Sequence, residues 1–216
     1  QGFDFSLERI WEVLVEGRGH GYEEVYISGG EPTLSDDLAH IIRRARGMGY
    51  RRIKIMTNGL RLSAPSYGDA LAAAGLTGVA YSLHGPTAQV HEAHTARPGS
   101  FERLLRGLRH LVANHKSVEV EVNSVVTLHN VDHLVPLAEL VSSLGVGELH
   151  LQHVVPSSPG ARAMVPAPEA VRAGLRRVID TAPPGLHVSC AFVPYCWMEQ
   201  YQQHVPRFDF TAPFLS

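Results

Sequence analysis

The tetrapeptide Gly29-Gly30-Glu31-Pro32 has the residue types best suited to binding a small ligand. It lies between the apolar run 25–27 and a predicted helix. Glycines lack a Cβ, so they let a ligand approach the backbone closely and they permit positive φ. The carboxylate of Glu31 can pair with a ligand ammonium, and Pro32 restricts the direction in which the chain enters the helix. We interpret this segment as a ligand site. The alternative is an ordinary strand–helix turn whose Glu favours the helix N-terminus.

Polar segments also follow the other predicted strands. They are Thr57-Asn58-Gly59, Ser82-Leu83-His84-Gly85, Asn123-Ser124, and Gln152-His153 followed by Val154-Val155-Pro156. In parallel α/β proteins ligands bind at the carboxyl ends of the strands, so we expect these segments to meet at one mouth. For Asn58, Ser82 and Asn123, a simple role in a turn or as a strand-end cap remains open.

Apolar runs and amphipathic stretches alternate along the chain. Strands are predicted at residues 25–27, 53–56, 79–83, 118–126 and 148–155. Helices are predicted at residues 4–18, 36–46, 65–74, 101–112, 134–144 and 169–181, from the helical spacing of their apolar side chains. Residues 84–99 are interpreted as an exposed loop, and the residues from 186 onward as a less regular tail. The alternation predicts an α/β fold in which helices cover parallel strands.

Taken in order, these motifs resemble those of the radical S-adenosylmethionine (SAM) superfamily. They are Gly29-Gly30-Glu31-Pro32, Met56-Thr57-Asn58-Gly59, Ser82-Leu83-His84-Gly85, Pro98-Gly99-Ser100-Phe101 and the strand from Val122 to Thr127. The resemblance covers roughly residues 3–160. It implies a partial (βα)6 TIM-like barrel whose first strand is missing. We expect the core to occupy residues 1–185, with a truncated C-terminal extension at residues 186–216.

The resemblance also implies a SAM-binding role for particular residues, and it leaves the catalytic residues unknown. The methionyl amino group would be bound by Glu31 and by the backbone of Gly29 and Gly30, in the motif that ends at Pro32. Thr57, Asn58 and Ser82 would line the methionine carboxylate and ribose region, Asn123 would lie close to the ribose, and the backbone around Val155 would lie near the adenine.

The iron–sulfur cluster is where this sequence departs from the family pattern. The family holds a [4Fe–4S] cluster with three cysteines spaced C-x3-C-x2-C, whereas the first cysteine here is Cys190. We expect a fragment that begins after the cluster loop, with the ligands upstream of Gln1; a cluster-free relative is the alternative. Cys196 could ligate an auxiliary cluster, although free cysteines such as Cys190 and Cys196 are commonly small buried hydrophobes.

The function implied by the resemblance is that of a radical SAM enzyme. Such an enzyme takes an electron from a donor, cleaves SAM reductively to a 5′-deoxyadenosyl radical, and abstracts hydrogen from a substrate, for which a peptide and a small metabolite are both candidates. The alternative is a degenerate barrel that binds SAM or a peptide without catalysis. An unrelated metal-dependent barrel is a third interpretation, but His84 and His153 at separate strand ends support it poorly.

Bulk composition excludes several classes of protein. The formal net charge is -2 and the pI is about 6.7, so nothing indicates a nucleic-acid or acidic-membrane partner. There is no apolar run of about 18 residues, and two cysteines are too few for a disulfide framework, so we expect a cytoplasmic protein. The 13 histidines show no recognisable metal-ligand spacing. His91 and His94 lie in a polar loop and could meet a substrate, although exposed loop histidines usually have no function. Arg103, Arg106 and Arg109 are interpreted as a solvated helix face.

Overall fold

A computed structural model describes residues 6–205, which form a six-stranded, all-parallel sheet. The strands are β1 (Glu24–Ile27), β2 (Arg52–Thr57), β3 (Gly78–Ser82), β4 (Glu119–Val126), β5 (Glu148–His153) and β6 (His187–Ala191). They are hydrogen-bonded in chain order, so the described part of the sheet has β1 and β6 as its edges and does not close. The predicted parallel α/β fold, a partial barrel, is confirmed.

Helices follow most of the strands, and the longer ones bury an apolar stripe. They are α1 (Leu7–Gly19), α2 (Leu38–Gly47), α3 (Pro65–Ala74), α4 (Ala88–Thr95), α5 (Ser100–Asn114), α6 (Leu134–Ser143), α7 (Pro159–Ala163) and α8 (Pro168–Asp180). In α5 the buried stripe is Leu104, Leu105, Leu108 and Leu111, which is the i, i+1, i+4, i+7 spacing of one helix face. None of the described helices is both long and apolar enough to span a membrane.

The two faces of the sheet have different chemistry because side chains alternate along each strand. One face packs against the helices and includes Ile53, Ile55, Val79 and Val122, each fully buried. The other face is polar, with charged side chains near its centre. Parallel strands are usually apolar on both faces, so this polar inner face is a departure that points to a ligand-facing surface.

A chain of ion pairs and hydrogen bonds crosses the inner face from β2 to β6. Lys54 Nζ lies 3.2 Å from a carboxylate oxygen of Glu121 and 3.3 Å from one of Glu119. His150 Nε2 lies 3.7 Å from Glu121, and His150 Nδ1 is within 2.6 Å of the hydroxyl of Ser189. Burial opposes the charge of Lys54, but the carboxylates of Glu121 and Glu119 raise its pKa overall. His150 and Lys54 lower the pKa of Glu121, so both partners are held in their charged forms.

The prediction of an exposed loop at residues 84–99 is wrong in its middle part. There α4 forms, and Thr87 caps it by accepting a hydrogen bond from the backbone of Val90. The helix packs against α5, and the ring of His91 is buried beside that of Phe101. The sequence of α4 is short and mostly polar, so it has no apolar stripe from which to predict it.

The residues from 186 onward are also more regular than the predicted tail, because β6 pairs with β5 over five residue pairs. The sheet therefore continues past the predicted boundary at residue 185, and the assignment of residues 186–216 to a separate extension stays a prediction. At the other end, α1 begins after a cap in which Ser6 accepts from the backbone of Arg9. Residues 4 and 5 of the predicted first helix lie outside the described residues.

Removing Glu121 should cost more stability than removing Glu119. Lys54 and Glu121 are only 17% and 14% exposed at their side chains, whereas Glu119 is 69% exposed. Glu121→Ala leaves a largely buried ammonium with one solvated partner, so we expect it to lower the free energy of unfolding by roughly 3 kcal/mol. Glu119→Ala should cost at most about 1 kcal/mol. Urea unfolding of both variants measures the difference, and equal losses would contradict an inner-face ion pair at Lys54–Glu121.

Candidate functional site

The carboxylate of Glu31 joins the carboxyl ends of β1 and β2. Its Oε1 accepts hydrogen bonds from the backbone N–H of Thr33 at 3.1 Å, the hydroxyl of Thr33 at 2.6 Å and the hydroxyl of Thr57 at 2.6 Å. Its Oε2 accepts one, from the backbone N–H of Asn58 at 2.7 Å. The side chain is therefore held in one position by donors from its own turn and from the neighbouring strand end.

The turn that contains Glu31 is itself anchored to the next element. The carbonyl of Thr33 accepts from the guanidinium of Arg61 at 2.6 Å and from the hydroxyl of Tyr67 at 3.2 Å. Thr33 is fully buried, and the guanidinium of Arg61 lies over the ring of Tyr67. The carbonyl of the buried Thr33 thus has two hydrogen-bond donors, which offset the cost of burying a polar backbone group.

Gly29 and Gly30 face open space at the end of β1. Gly29 has φ +115°, a conformation that residues with a Cβ rarely adopt. A Cβ placed on either glycine would meet no other atom within 4 Å. The backbone at these two residues is therefore free for a ligand to approach.

A cavity of about 630 Å³ opens beside this turn. Its lining comprises Ile10 of α1, Ile27 to Pro32, Leu34, Ser35, and Leu38 and Ile41 of α2. The lining combines apolar side chains of α1 and α2 with Gly29, Gly30 and Glu31. The arrangement suits a ligand that combines an ammonium group with an apolar part.

Thr57 and Asn58 face Glu31. Thr57 is buried, and its hydroxyl donates to Glu31 while accepting from the backbone N–H of Gly59 at 3.0 Å. The Asn58 side chain accepts a hydrogen bond from the backbone N–H of Leu60 at 2.9 Å. This contact closes a turn, which is the alternative role given for Asn58 in the sequence analysis. Gly59 has φ +74°, and a Cβ there would lie 2.8 Å from the ring of Tyr81. A glycine is thus required for the turn that aims the Asn58 N–H at Glu31.

The remaining predicted site residues lie at other strand ends. Ser82 and Asn123 are register partners on β3 and β4, and the side chain of Asn123 accepts from Gln152 at 3.3 Å. Val155 follows β5 and is 55% exposed. The structure thus brings Glu31, Thr57 and Asn58 into one cluster and Ser82 and Asn123 into another. None of Thr57, Asn58, Ser82, Asn123 and Val155 lines the cavity beside Gly29 and Gly30. The roles of all of them in binding a cofactor stay predictions.

The two cysteines differ in environment. Cys190 lies in β6, is fully buried, and has a pKa that burial raises to about 12. Cys196 is exposed in a short 3-10 turn at Tyr195–Trp197. Cys190 therefore behaves as a small apolar residue, and a metal-binding role for Cys196 stays a prediction.

Sequence reasoning missed a stack of histidines at the ends of β3 and β4. The rings of His84 and His94 lie 4.0 Å apart between centroids and nearly parallel, and the rings of His84 and His91 are 5.9 Å apart. His91 Nδ1 accepts from the backbone of His84 at 3.1 Å, and His84 Nδ1 accepts from the backbone of Val125 at 3.2 Å. The i, i+3 spacing of His91 and His94 was the available signal, but it needs α4 to be predicted first.

Desolvation keeps these histidines neutral near pH 7. Burial lowers the pKa of His91 to about 4, and burial together with the neighbouring His129 and His91 lowers the pKa of His94 to about 4. The pKa of His84 is lowered as well, by burial and by its two histidine neighbours. The stack is thus a packed, uncharged element beside the mouth of the sheet.

The sequence was compared with known protein families. The family model of the radical SAM superfamily matches residues 1–141 of the 216-residue chain. Among curated proteins, a probable GTP 3′,8-cyclase of Saccharolobus islandicus (strain M.14.25 / Kamchatka #1) is 33% identical over 158 residues, covering 73% of this chain and 50% of the relative. An AdoMet-dependent heme synthase of Oleidesulfovibrio alaskensis is 29% identical over 138 residues, covering 64% of this chain and 34% of the relative. The chain spans about half the length of the first of these relatives.

Solved structures share the fold. Streptococcus suis SuiB bound to S-adenosylmethionine matches with a TM-score of 0.66 and 16% identity, covering 82% of this chain and 40% of that one. Native anSMEcpe with bound AdoMet and the Kp18Cys peptide matches with a TM-score of 0.66 and 16% identity, covering 81% and 51%. The likeness extends beyond residue 141 and so includes part of the region that the family model does not match.

The buried histidine stack predicts a loss of stability in mild acid. His91 has a folded pKa of about 4 against an ordinary value of 6.5, so between these values the unfolded chain binds more protons and stability falls as the pH falls. We expect His91 alone to account for a loss of roughly 3 kcal/mol on going from pH 7 to pH 4. Asn can replace the Nδ1 acceptor, so the His91→Asn variant should show a shallower dependence in urea unfolding at several pH values.

The exposed His133 provides the matched control for this measurement. His133→Asn should leave the pH dependence of unfolding as it is in the wild type. If His91→Asn also leaves it unchanged, His91 titrates normally and is not desolvated.

Proposed function

Because this chain belongs to the radical SAM superfamily, we propose that it binds SAM at the carboxyl-terminal edge of its sheet and serves reductive cleavage of that cofactor. The superfamily relatives named above are enzymes, and members of the superfamily use SAM together with a [4Fe–4S] cluster. The observation that carries the proposal is the fixed Glu31 carboxylate beside the open backbone of Gly29 and Gly30. This turn has the charge, the space and the rigidity that a zwitterionic ligand requires.

The hydrogen bonds of Glu31 leave room for a ligand ammonium. A carboxylate offers about four lone-pair sites, two on each oxygen. Oε1 already accepts three hydrogen bonds and has no further capacity. Oε2 accepts only one, so one of its lone pairs is still available. We therefore assign the methionyl ammonium to Oε2 of Glu31, where it would form a charge-assisted hydrogen bond. Glu31 would act by positioning the cofactor and would not transfer a proton.

The other cofactor contacts are proposed from the resemblance and supported by position. Ser82 and Asn123 lie side by side at the ends of β3 and β4 and offer hydroxyl and amide groups for the ribose and carboxylate region. Thr57 would act through Glu31, which it contacts directly. The exposed backbone around Val155 would lie near the adenine. When bound, SAM would supply radical chemistry, since one-electron reduction would cleave it to methionine and a 5′-deoxyadenosyl radical able to abstract hydrogen from a substrate.

The residues of this chain do not fit a [4Fe–4S] cluster of the family type. Such a cluster requires three cysteine thiolates, and the chain contains Cys190 and Cys196 alone. Cys190 is also buried within the apolar layer. We derive no step through the cluster, and propose only that Cys196, which is exposed, is the cysteine available to an auxiliary metal group.

The substrate is proposed only as an organic molecule with an abstractable hydrogen. The curated relatives are named for GTP and heme chemistry. By contrast, SuiB has also been solved with its precursor peptide SuiA, and anSMEcpe with the Kp18Cys peptide. The shared core is thus compatible with several substrate classes, and the two peptide complexes support a peptide as the first class to test.

Two free cysteines favour the cytoplasm, and an electron donor would be a necessary partner.

The proposal is tested by measuring SAM binding and cleavage in the Glu31→Gln variant. Loss of a charge-assisted hydrogen bond is worth about 1.5–3 kcal/mol, so SAM affinity should fall roughly 10- to 100-fold. Calorimetry on the anaerobically purified full-length protein gives the affinity, and chromatographic detection of 5′-deoxyadenosine after addition of dithionite gives the cleavage. Unchanged affinity in Glu31→Gln would contradict the assignment of the ammonium to Glu31.

Thr33→Val is the matched control, since it removes one hydrogen bond to Oε1 and keeps the charge of Glu31. We expect it to lower stability while changing SAM affinity much less than Glu31→Gln does. Wild-type protein that binds SAM and forms no 5′-deoxyadenosine would support the second candidate, a barrel that binds SAM without cleaving it.

A further inference from the structure

Two histidines and an aspartate from different helices meet on the outer layer of the fold, away from the strand ends. Asp69 belongs to α3, His110 to α5, and His115 directly follows α5. The Nε2 atoms of His110 and His115 lie 2.7 and 2.6 Å from the same oxygen of Asp69. The three candidate ligand atoms all lie within 4.8 Å of one another, and this is the one such group among the residues that the structure describes.

We propose that Asp69, His110 and His115 form a binding site for a divalent transition metal ion, with Zn²⁺ as the ion of best fit. Zn²⁺ prefers histidine nitrogen and carboxylate oxygen at about 2.0–2.2 Å in a tetrahedral arrangement. Tetrahedral ligands at those distances are roughly 3.3 Å apart, so each nitrogen–oxygen separation has to increase by about 0.6 Å. Three protein ligands leave the fourth position to water.

The three side chains are arranged so that this adjustment is small. The two imidazole rings are inclined by 63° with centroids 5.7 Å apart, so that both Nε2 atoms point at Asp69 from different directions. The side chains of His110 and His115 are 20% and 22% exposed, whereas Asp69 is 51% exposed and can turn. The two histidines are thus fixed by their surroundings. The more exposed carboxylate of Asp69 can turn, which would increase its distance from both Nε2 atoms and make room for an ion.

The helices that carry the ligands are held in close contact at this level. A Cβ on Gly68 of α3 would lie 3.3 Å from the side chain of Leu111 and 3.9 Å from the ring of His110. The missing side chain at Gly68 thus leaves α3 close to α5 beside Asp69 and His110. An ion bound here would join α3 to the C-terminal end of α5.

The ligand atoms already have partners that direct them toward one point. One oxygen of Asp69 is contacted by Nε2 of both His110 and His115. The amide of Asn114 lies 3.2 Å from His110 Nδ1 and donates to the His110 carbonyl at 2.9 Å. For Nε2 of His110 to bind a metal, its proton has to move to Nδ1, and the Asn114 amide has to turn over to accept it. Metal-bound histidines commonly donate their other nitrogen to such a partner.

The proposal is tested by titrating the full-length protein, with any iron–sulfur cluster retained and loosely bound metal removed by gel filtration, with zinc chloride in a calorimeter. Asp69→Asn and His115→Gln each remove one ligand and should weaken zinc binding more than 10-fold, because even outer partners of metal ligands contribute 10- to 100-fold. Zinc should also raise the midpoint of thermal unfolding of the wild type and leave that of the two variants unchanged.

A control variant separates this site from other exposed imidazoles. His133→Gln removes an exposed histidine elsewhere. It should retain the zinc affinity and the thermal shift of the wild type. The proposal is overturned if the wild type binds no zinc, or if Asp69→Asn and His115→Gln bind it as tightly as the wild type does.

Discussion

The carboxylate of Glu31 ties together the two strand ends on which the proposed cofactor site depends. It accepts hydrogen bonds from its own turn through Thr33 and from the next strand end through Thr57 and Asn58. Parallel strands have no hairpin between them, so their carboxyl ends are aligned only by the sheet and by contacts of this kind. Because the carboxylate is satisfied by several donors, it keeps one orientation, and the open backbone of Gly29 and Gly30 stays beside it.

Polar side chains also cover the inner face of the sheet, below the strand ends. The inner face carries Lys54, Glu121 and His150 in one continuous set of contacts, with Asn123 and Gln152 toward the carboxyl ends. Tyr26 on β1 belongs to the same face, and partial burial together with the charge of Glu121 raises its pKa to about 12. The inner face therefore has neutral hydrogen-bonding groups near the strand ends and paired, opposite charges further from them. Such a surface suits a polar ligand, because its charges are already neutralised by each other.

The fold was predictable from the sequence because its signals are local. The apolar runs of β2 to β5 and the stripes of helices such as α5 and α8 occur where they were predicted, and Gly29 to Pro32 follow β1 as expected. The role of that turn in binding a ligand stays a prediction. Features that depend on tertiary contact were not predictable. The mostly polar α4 is stabilised by docking against α5, and Asp69 meets His110 and His115 only because α3 and α5 pack together at Gly68. The several partners of Glu31 likewise come from residues up to 27 positions away.

The central claim is that SAM binds at the turn of Glu31, and hydrogen–deuterium exchange tests it most directly. Exchange of the full-length protein is compared with and without SAM under anaerobic conditions. The account predicts that SAM slows exchange in residues 28–34 and 57–60, where bound backbone groups leave the solvent, and leaves residues 110–116 unaffected. SAM binding that slows exchange elsewhere, and not in residues 28–34, would contradict the claim.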